Sequence, residues 1–229
     1  MAKETSETHL RFAVLATDMA LFTVRQGELL VRLVRVNRPP HFPNSQGLPG
    51  GLIQPKETAE EAAMRLIATK AGIDTSKIYV EQLYTFSEVK RDPRGRVVAV
   101  AYMALVPWES LSAKEQTGSD DSWWATIGEA KKLAYDHDDI LSVAVARLRS
   151  RVTYTTLMSK LLPKEFTLTE LERGYESVLK TELDKRNFRK KILKVKVLVE
   201  LNRKKADGPY RPAQLYKFAS QKVEHIEVL

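Results

Sequence analysis

No cysteine occurs among the 229 residues, which excludes a disulfide framework, a thiolate zinc site and a cysteine nucleophile. No apolar run approaches the roughly 20 residues of a membrane span. The opening, MAKETSETHLRFAVLATD, also lacks the basic-then-apolar layout of a signal peptide. A cytoplasmic chain with no membrane partner is therefore expected. Excess charge is missing from the first two thirds: residues 1–150 hold 19 Lys+Arg and 19 Asp+Glu, residues 151–229 hold 18 and 10. The net charge of +8 thus lies wholly in the last third, which suggests a region that meets a polyanion, either nucleic acid or an anionic membrane surface, with a merely soluble basic surface as the competing reading. With 43% hydrophobic and 29% charged residues, the chain is near the globular average. Its length suits one medium and one small domain, read as 1–150 and 151–229.

Along the first domain, RFAVLATDMALFTV and ELLVRLVRV are β-rich runs around RQG and read as a hairpin. NRPPHFPNSQGLPGG reads as a loop, and AEEAAMRLIATKAG as a helix stopped by Gly72. IYVEQLYTFSEV and VVAVAYMALVPW read as strands around the turn KRDPRGR. WWATIGEAKKLAYDHDDILSVAVARLRSRV then supplies a short connection and a long amphipathic helix. In the last third, TTLMSKLLPKE reads as a short helix, and FTLTELERGYESVLK as a second with Thr167 and Glu170 in capping-box spacing. TELDKRNFRKKILKVK gives a third helix, N-capped by Asp184. VLVELNRKKADGPYRPAQLYKF reads strand, basic turn, strand, so the last third has the order of a winged helix.

Two stretches carry chemistry. In the first, LPGG ends in Gly51, and Gly51, Glu57, Arg65, Ile67, Gly72 and Ile73 stand at the spacing of the Nudix box, which the segment resembles. That box uses carboxylates one helical turn apart to hold Mg²⁺ against a diphosphate. Here the three acidic positions are Leu66, Thr69 and Lys70, so neither a metal site nor a catalytic residue is assigned. The frame is still able to bind: Pro49, Gly50 and Gly51 form the turn, Lys70 or Arg65 can replace the metal's charge, and Glu57 is retained. Arg65 has a competing reading as an internal brace paired with Glu57 or Glu61. In the turn, Arg91 and Arg94, with Arg96, stand beside Phe86 as candidates to grip phosphates and stack a base.

The second stretch is DKRNFRKKILK. Following a capped helix after a short turn, it has the layout of a recognition helix. Arg186 and Asn187 are candidates for base edges; Lys185, Arg189, Lys190 and Lys191 are better suited to phosphates. Arg203, Lys204, Lys205, Tyr210 and Arg211 are the wing candidates.

Taken together, the degenerate box, RDPRG, YDHDDIL, FTLTELERGYESVL, DKRNFRKKI and RPAQLYKF resemble the NrtR family of Nudix-related transcriptional regulators of NAD metabolism. The resemblance covers nearly the whole chain. It implies an α+β protein: a Nudix-like α/β/α sandwich with a mixed sheet, then a winged helix. It further implies ADP-ribose or a related nucleotide as effector, no required cofactor, and a homodimer on a pseudo-palindromic double-stranded operator that the effector releases. One departure is that relatives often carry a Trp shortly before LPGG, where this chain has Asn44-Ser45-Gln46-Gly47; that predicts loss of an aromatic wall. The alternatives are a Nudix hydrolase with Glu57, Glu60 and Glu61 around a shifted metal, an RNA-binding module, or a relative that senses a sugar or sugar phosphate.

Overall fold

The computed structural model describes residues 13–206 and 212–226. The first hairpin forms as expected: β1 (Val14–Arg25) and β2 (Glu28–Arg38) pair antiparallel, with Arg25 opposite Glu28. Gln26 and Gly27 between them both have positive φ, the two-residue turn whose twist matches paired strands. The region read as a loop holds two short strands, β3 (Phe42–Gly47) on β2 and β4 (Gly50–Leu52) on β1. Their Pro and Gly content hides them, because the neighbouring strands, not propensity, hold them extended.

The helix α1 (Ala59–Leu66) starts in a capping box, Thr58 with Glu61. It runs into a π-helical turn, Ile67–Ala71, and stops at Gly72, whose φ is +67°. After β5 (Tyr79–Phe86), β6 (Val97–Leu105) lies antiparallel to β5 and parallel to β1, which makes the sheet mixed. A short α2 (Ala113–Thr117) follows, and then β7 (Ser122–Thr126), in the segment read as a connection, pairs with β2.

Side-chain alternation along β1 splits the core into two layers. Met19 and Leu21 pack with Ala63, Leu66 and Ile67 of the box helix. Ala20, Phe22 and Val24 pack on the other face with Ile140, Ala144 and Leu148 of α3 (His137–Tyr154). Helix, sheet, helix is the expected sandwich. α3 runs straight through residue 150, so the segments on either side of it share one helix.

Beyond α3, the first expected helix is a 3₁₀ turn, Thr156–Lys160; Pro163 lies too near for a longer element. β8 (Phe166–Thr167), α4 (Leu168–Leu179), α5 (Lys185–Lys194), β9 (Leu198–Lys205) and β10 (Ala213–Phe218) complete a winged helix, its sheet ordered β8-β10-β9. The Thr167–Glu170 capping box and the Asp184 N-cap both form. Phe188 packs 5.3 Å from Tyr175, and Ile192 is fully buried.

Candidate ligand pocket and nucleic-acid interface

β4 is laid on β1 so that Gly50 faces Asp18. A Cβ at Gly50 would stand 2.0 Å from Asp18 Oδ1, so only glycine permits this approach. Asp18 is the buried floor of a cavity of about 480 Å³ whose lining includes Gly50, Gly51, Lys70, Arg91, Arg94 and Tyr135. Pro49 is buried beside it, its carbonyl accepting from Met19 N at 2.9 Å.

Under the cavity lies a charged network. Arg91 donates to Asp18 at 3.0 Å and to both oxygens of Asp136 at 2.7 and 2.6 Å. His137 Nδ1 accepts from Leu48 N at 2.9 Å, which leaves Nε2 to carry the proton, 3.5 Å from Asp18. Burial pushes the Asp18 carboxyl up, but His137 and Arg91 outweigh it and hold the group below its ordinary value.

Arg94 forks onto Asp92 at 2.9 and 2.7 Å and lies over the Tyr135 ring, 5.2 Å from its centre. Tyr135 in turn packs against Phe42 at 4.4 Å. Residues 44–47 supply no aromatic, as expected, but the pocket has an aromatic wall from Tyr135, whose neighbour Ala134 donates to the Gln46 carbonyl at 2.7 Å. Phe86 is not part of it: it packs on the α3 side of the sheet and edge-on to Tyr84.

Arg65 also turns away from the pocket. Its guanidinium donates to Glu57 at 2.9 Å and to the Leu52 carbonyl at 3.1 Å, while Glu57 accepts from Gln54 N at 2.7 Å. The brace between β4 and α1 thus consumes two of the expected ligand residues. Hydrogen bonding from Arg65 takes the Glu57 carboxyl down to about 2.

The three box positions are equally definite. Leu66 is buried in the core, Thr69 donates to the Arg65 carbonyl at 2.8 Å, and Lys70 Nζ donates to the Gly50 carbonyl at 2.5 Å. A side chain without donor atoms, an engaged hydroxyl and an ammonium do not fit a divalent cation. Nor do Glu57, Glu60 and Glu61 converge, since Glu57 is held by Arg65 and Glu61 closes the helix cap. Among the described residues no group of three His, Asp or Glu is placed to hold a metal.

The second region is the exposed face of α5. Lys185, Arg186, Asn187, Lys190 and Lys191 all project to solvent. Arg189 does not: it donates to Thr169 at 2.9 Å and faces Glu172 at 3.7 Å, locking α5 onto α4. On the wing, Arg203, Lys204 and Lys205 are all exposed, Arg203 paired with Glu165 and Lys205 with Glu170. Tyr210 and Arg211 lie outside the described residues. Asp18, Arg38, Tyr135 and His137 are pocket residues that the sequence reading did not assign. YDHDDIL contains two of them, and its unusual density of polar groups before a helix was the available signal.

Comparison with known proteins agrees with this geometry. A NUDIX domain model matches residues 13–144, and a model described as the NrtR DNA-binding winged helix domain matches residues 158–218. The chain is 39% identical over 212 residues to the ADPR responsive transcriptional repressor NtrR of Acinetobacter baylyi, covering 91% of this chain and 83% of the relative. It superposes with a TM-score of 0.77 on Shewanella oneidensis NrtR complexed with a 27mer DNA, at 31% identity over 89% of this chain and 93% of that one. An ADP-ribose pyrophosphatase of Methanocaldococcus jannaschii is 29% identical over 118 residues, 52% of this chain and 66% of the relative.

A Nudix-fold domain with a ligand-sized cavity, carried on the same chain as a winged helix with an exposed basic face, defines the class of ligand-sensing DNA-binding regulators. Within that class the chain belongs to the NrtR family.

Proposed function

We propose that the protein is a transcriptional repressor whose first domain binds ADP-ribose without turning it over and whose winged helix holds a double-stranded operator until the nucleotide arrives. The observation that carries this reading is the exposed basic N-terminal half of α5 in a chain that is similar over 91% of its length to an ADPR-responsive repressor. Absence of hydrolysis follows from Leu66, Thr69 and Lys70 at the metal positions. The protein acts in the cytoplasm as a homodimer, because a pseudo-palindromic operator needs two recognition helices about 34–36 Å apart. Genes of NAD synthesis are the target that the family suggests.

The fold supplies a route between the two sites. Asp136 and His137, where α3 begins, belong to the network under the pocket. Near the other end of the same helix Arg149 donates to the Val178 carbonyl at 3.0 Å, on the last turn of α4. A nucleotide that binds more tightly to one setting of α3 shifts α5 with it, and only such differential affinity moves the equilibrium.

The test is a titration of purified protein on the promoters of NAD-synthesis genes from its own genome, with and without ADP-ribose, while the nucleotide is assayed for cleavage. Binding that ADP-ribose weakens, with the nucleotide intact, is expected. Magnesium-dependent cleavage without promoter selectivity would assign the protein to the hydrolases, and preference for structured RNA would replace the operator.

A further inference from the structure

The cavity has more cations than carboxylates, and the pairing pattern shows where the excess lies. Arg35 pairs with Asp121 at 3.2 Å, Arg91 with Asp18 and Asp136, and Arg94 with Asp92. The remaining cations of the lining, Arg38 and Lys70, have no carboxylate within salt-bridge reach among the described residues. Two uncompensated positive charges face one cavity.

Lys70 is also held in place. The carbonyl of the next residue, Ala71, accepts from Nε and Nη2 of the buried Arg32 at 3.1 and 2.8 Å, which fixes the end of the π turn. The lysine head lies beside Gly51, where a Cβ would crowd Leu66 at 3.1 Å and touch Nζ at 3.4 Å. With one Nζ proton on Gly50 O, two donors remain for a ligand. Partial burial and Arg38 push the ammonium below its ordinary pKa while Asp18 pulls it back, which places Arg38 and Lys70 in one electrostatic neighbourhood.

We propose that Lys70 and Arg38 together stand in for the divalent cation of the Nudix box, binding the two negative charges of a nucleotide's diphosphate directly, so that effector binding requires no metal. A lysine presents a compact charge and an arginine a fork, and both match phosphate oxygens. The inference rests on the reading of the pocket as a nucleotide site. It also accounts for the loss of turnover without loss of binding, because an ammonium neutralises phosphate but does not deliver an activated water.

Calorimetric titration of ADP-ribose into the full-length protein, first in EDTA and then in excess Mg²⁺, tests it. Equal affinity in the two media is expected. Lys70→Met and Arg38→Met should each weaken binding by about ten- to a hundredfold, the range for a charged hydrogen bond. Lys70→Arg should retain most of the affinity. Lys70→Glu should abolish binding in EDTA and regain it in part with Mg²⁺. A melting curve without nucleotide checks that each variant is folded. Binding by the natural chain that needs Mg²⁺, or unchanged affinity in Lys70→Met, overturns the inference while the nucleotide reading stands. No heat in either medium overturns the nucleotide reading, and the inference with it.

Discussion

Arg91 and Arg65 stand in stretches whose composition suggests phosphate contacts, yet both guanidinium groups are spent inside the protein. Arg91 is 7% exposed and joins two carboxylates. Replacing it with Met leaves Asp18 buried without its cation, and loss of one partner of a buried pair costs about 3–5 kcal/mol. Urea unfolding should show that loss, and a change under about 1 kcal/mol would mean the network relaxes into solvent. The Arg65–Glu57 brace is more exposed, and its signature is its pH dependence. The folded-state pKa of Glu57, about 2, lies below its ordinary 4.5, so the brace contributes fully above about pH 4.5 and fades as pH falls toward 2. Glu57→Gln should therefore lower the melting temperature at pH 7, and the gap should close in strong acid. A gap that widened on acidification would contradict the assignment. Sequence shows that such arginines exist and what they are able to bind. Which of them are already paired depends on Asp18 and Asp136, 73 and 45 positions away from Arg91. For the same reason the sequence does not single out Arg38: a basic residue at a strand end is ordinary until its neighbours are found paired with carboxylates while it has none in reach among the described residues.

α5 carries its purpose on one face and its attachment on the other, and the two are separable by substitution. Lys190 is exposed, so Lys190→Ala should weaken all duplexes alike and reduce the salt slope of binding by about one. Arg186→Ala should instead relax preference at one base pair, by about 1–3 kcal/mol. Arg189 bonds to Thr169 and faces Glu172, so Arg189→Met should lower the melting temperature and leave the salt slope unchanged; a slope reduced by about one would restore it to the phosphate contacts. Elements of this kind were readable in advance because their signals are local. Asp184 and Thr167 cap, Phe188 and Ile192 mark the buried stripe, and periodicity does the rest. β4 and β7 were not readable. Gly50–Leu52 is a strand only because β1 lies beside it, and Ser122–Thr126 only because β2 does. The π turn at Ile67–Ala71 is equally silent in sequence, yet it sets where Lys70 points.

At the scale of the molecule, one apolar cluster runs from Phe22 and Val31 in the first sheet through Leu148 and Val152 of α3 to Leu171, Phe188 and Phe218 in the winged helix. The end of the described chain also returns to α3, where Ile226 N donates to the Tyr154 carbonyl at 2.8 Å. Two family models divide the sequence, but no solvent layer divides this core, and a shared core makes the parts unfold together. The three tryptophans, Trp108, Trp123 and Trp124, all lie in the Nudix-fold region. Their fluorescence therefore follows that region, while far-ultraviolet circular dichroism follows the helices of both. The two thermal curves should coincide, and ADP-ribose at a hundred times its Kd should stabilise both by about 2.7 kcal/mol. If instead the nucleotide shifted the fluorescence curve and left a second dichroism transition in place, the winged helix would be folding independently. The α3 connection would then transmit no free energy from the pocket to α5. Coincident shifts mean that energy gained at Lys70 is available at α5 through a single cooperative body.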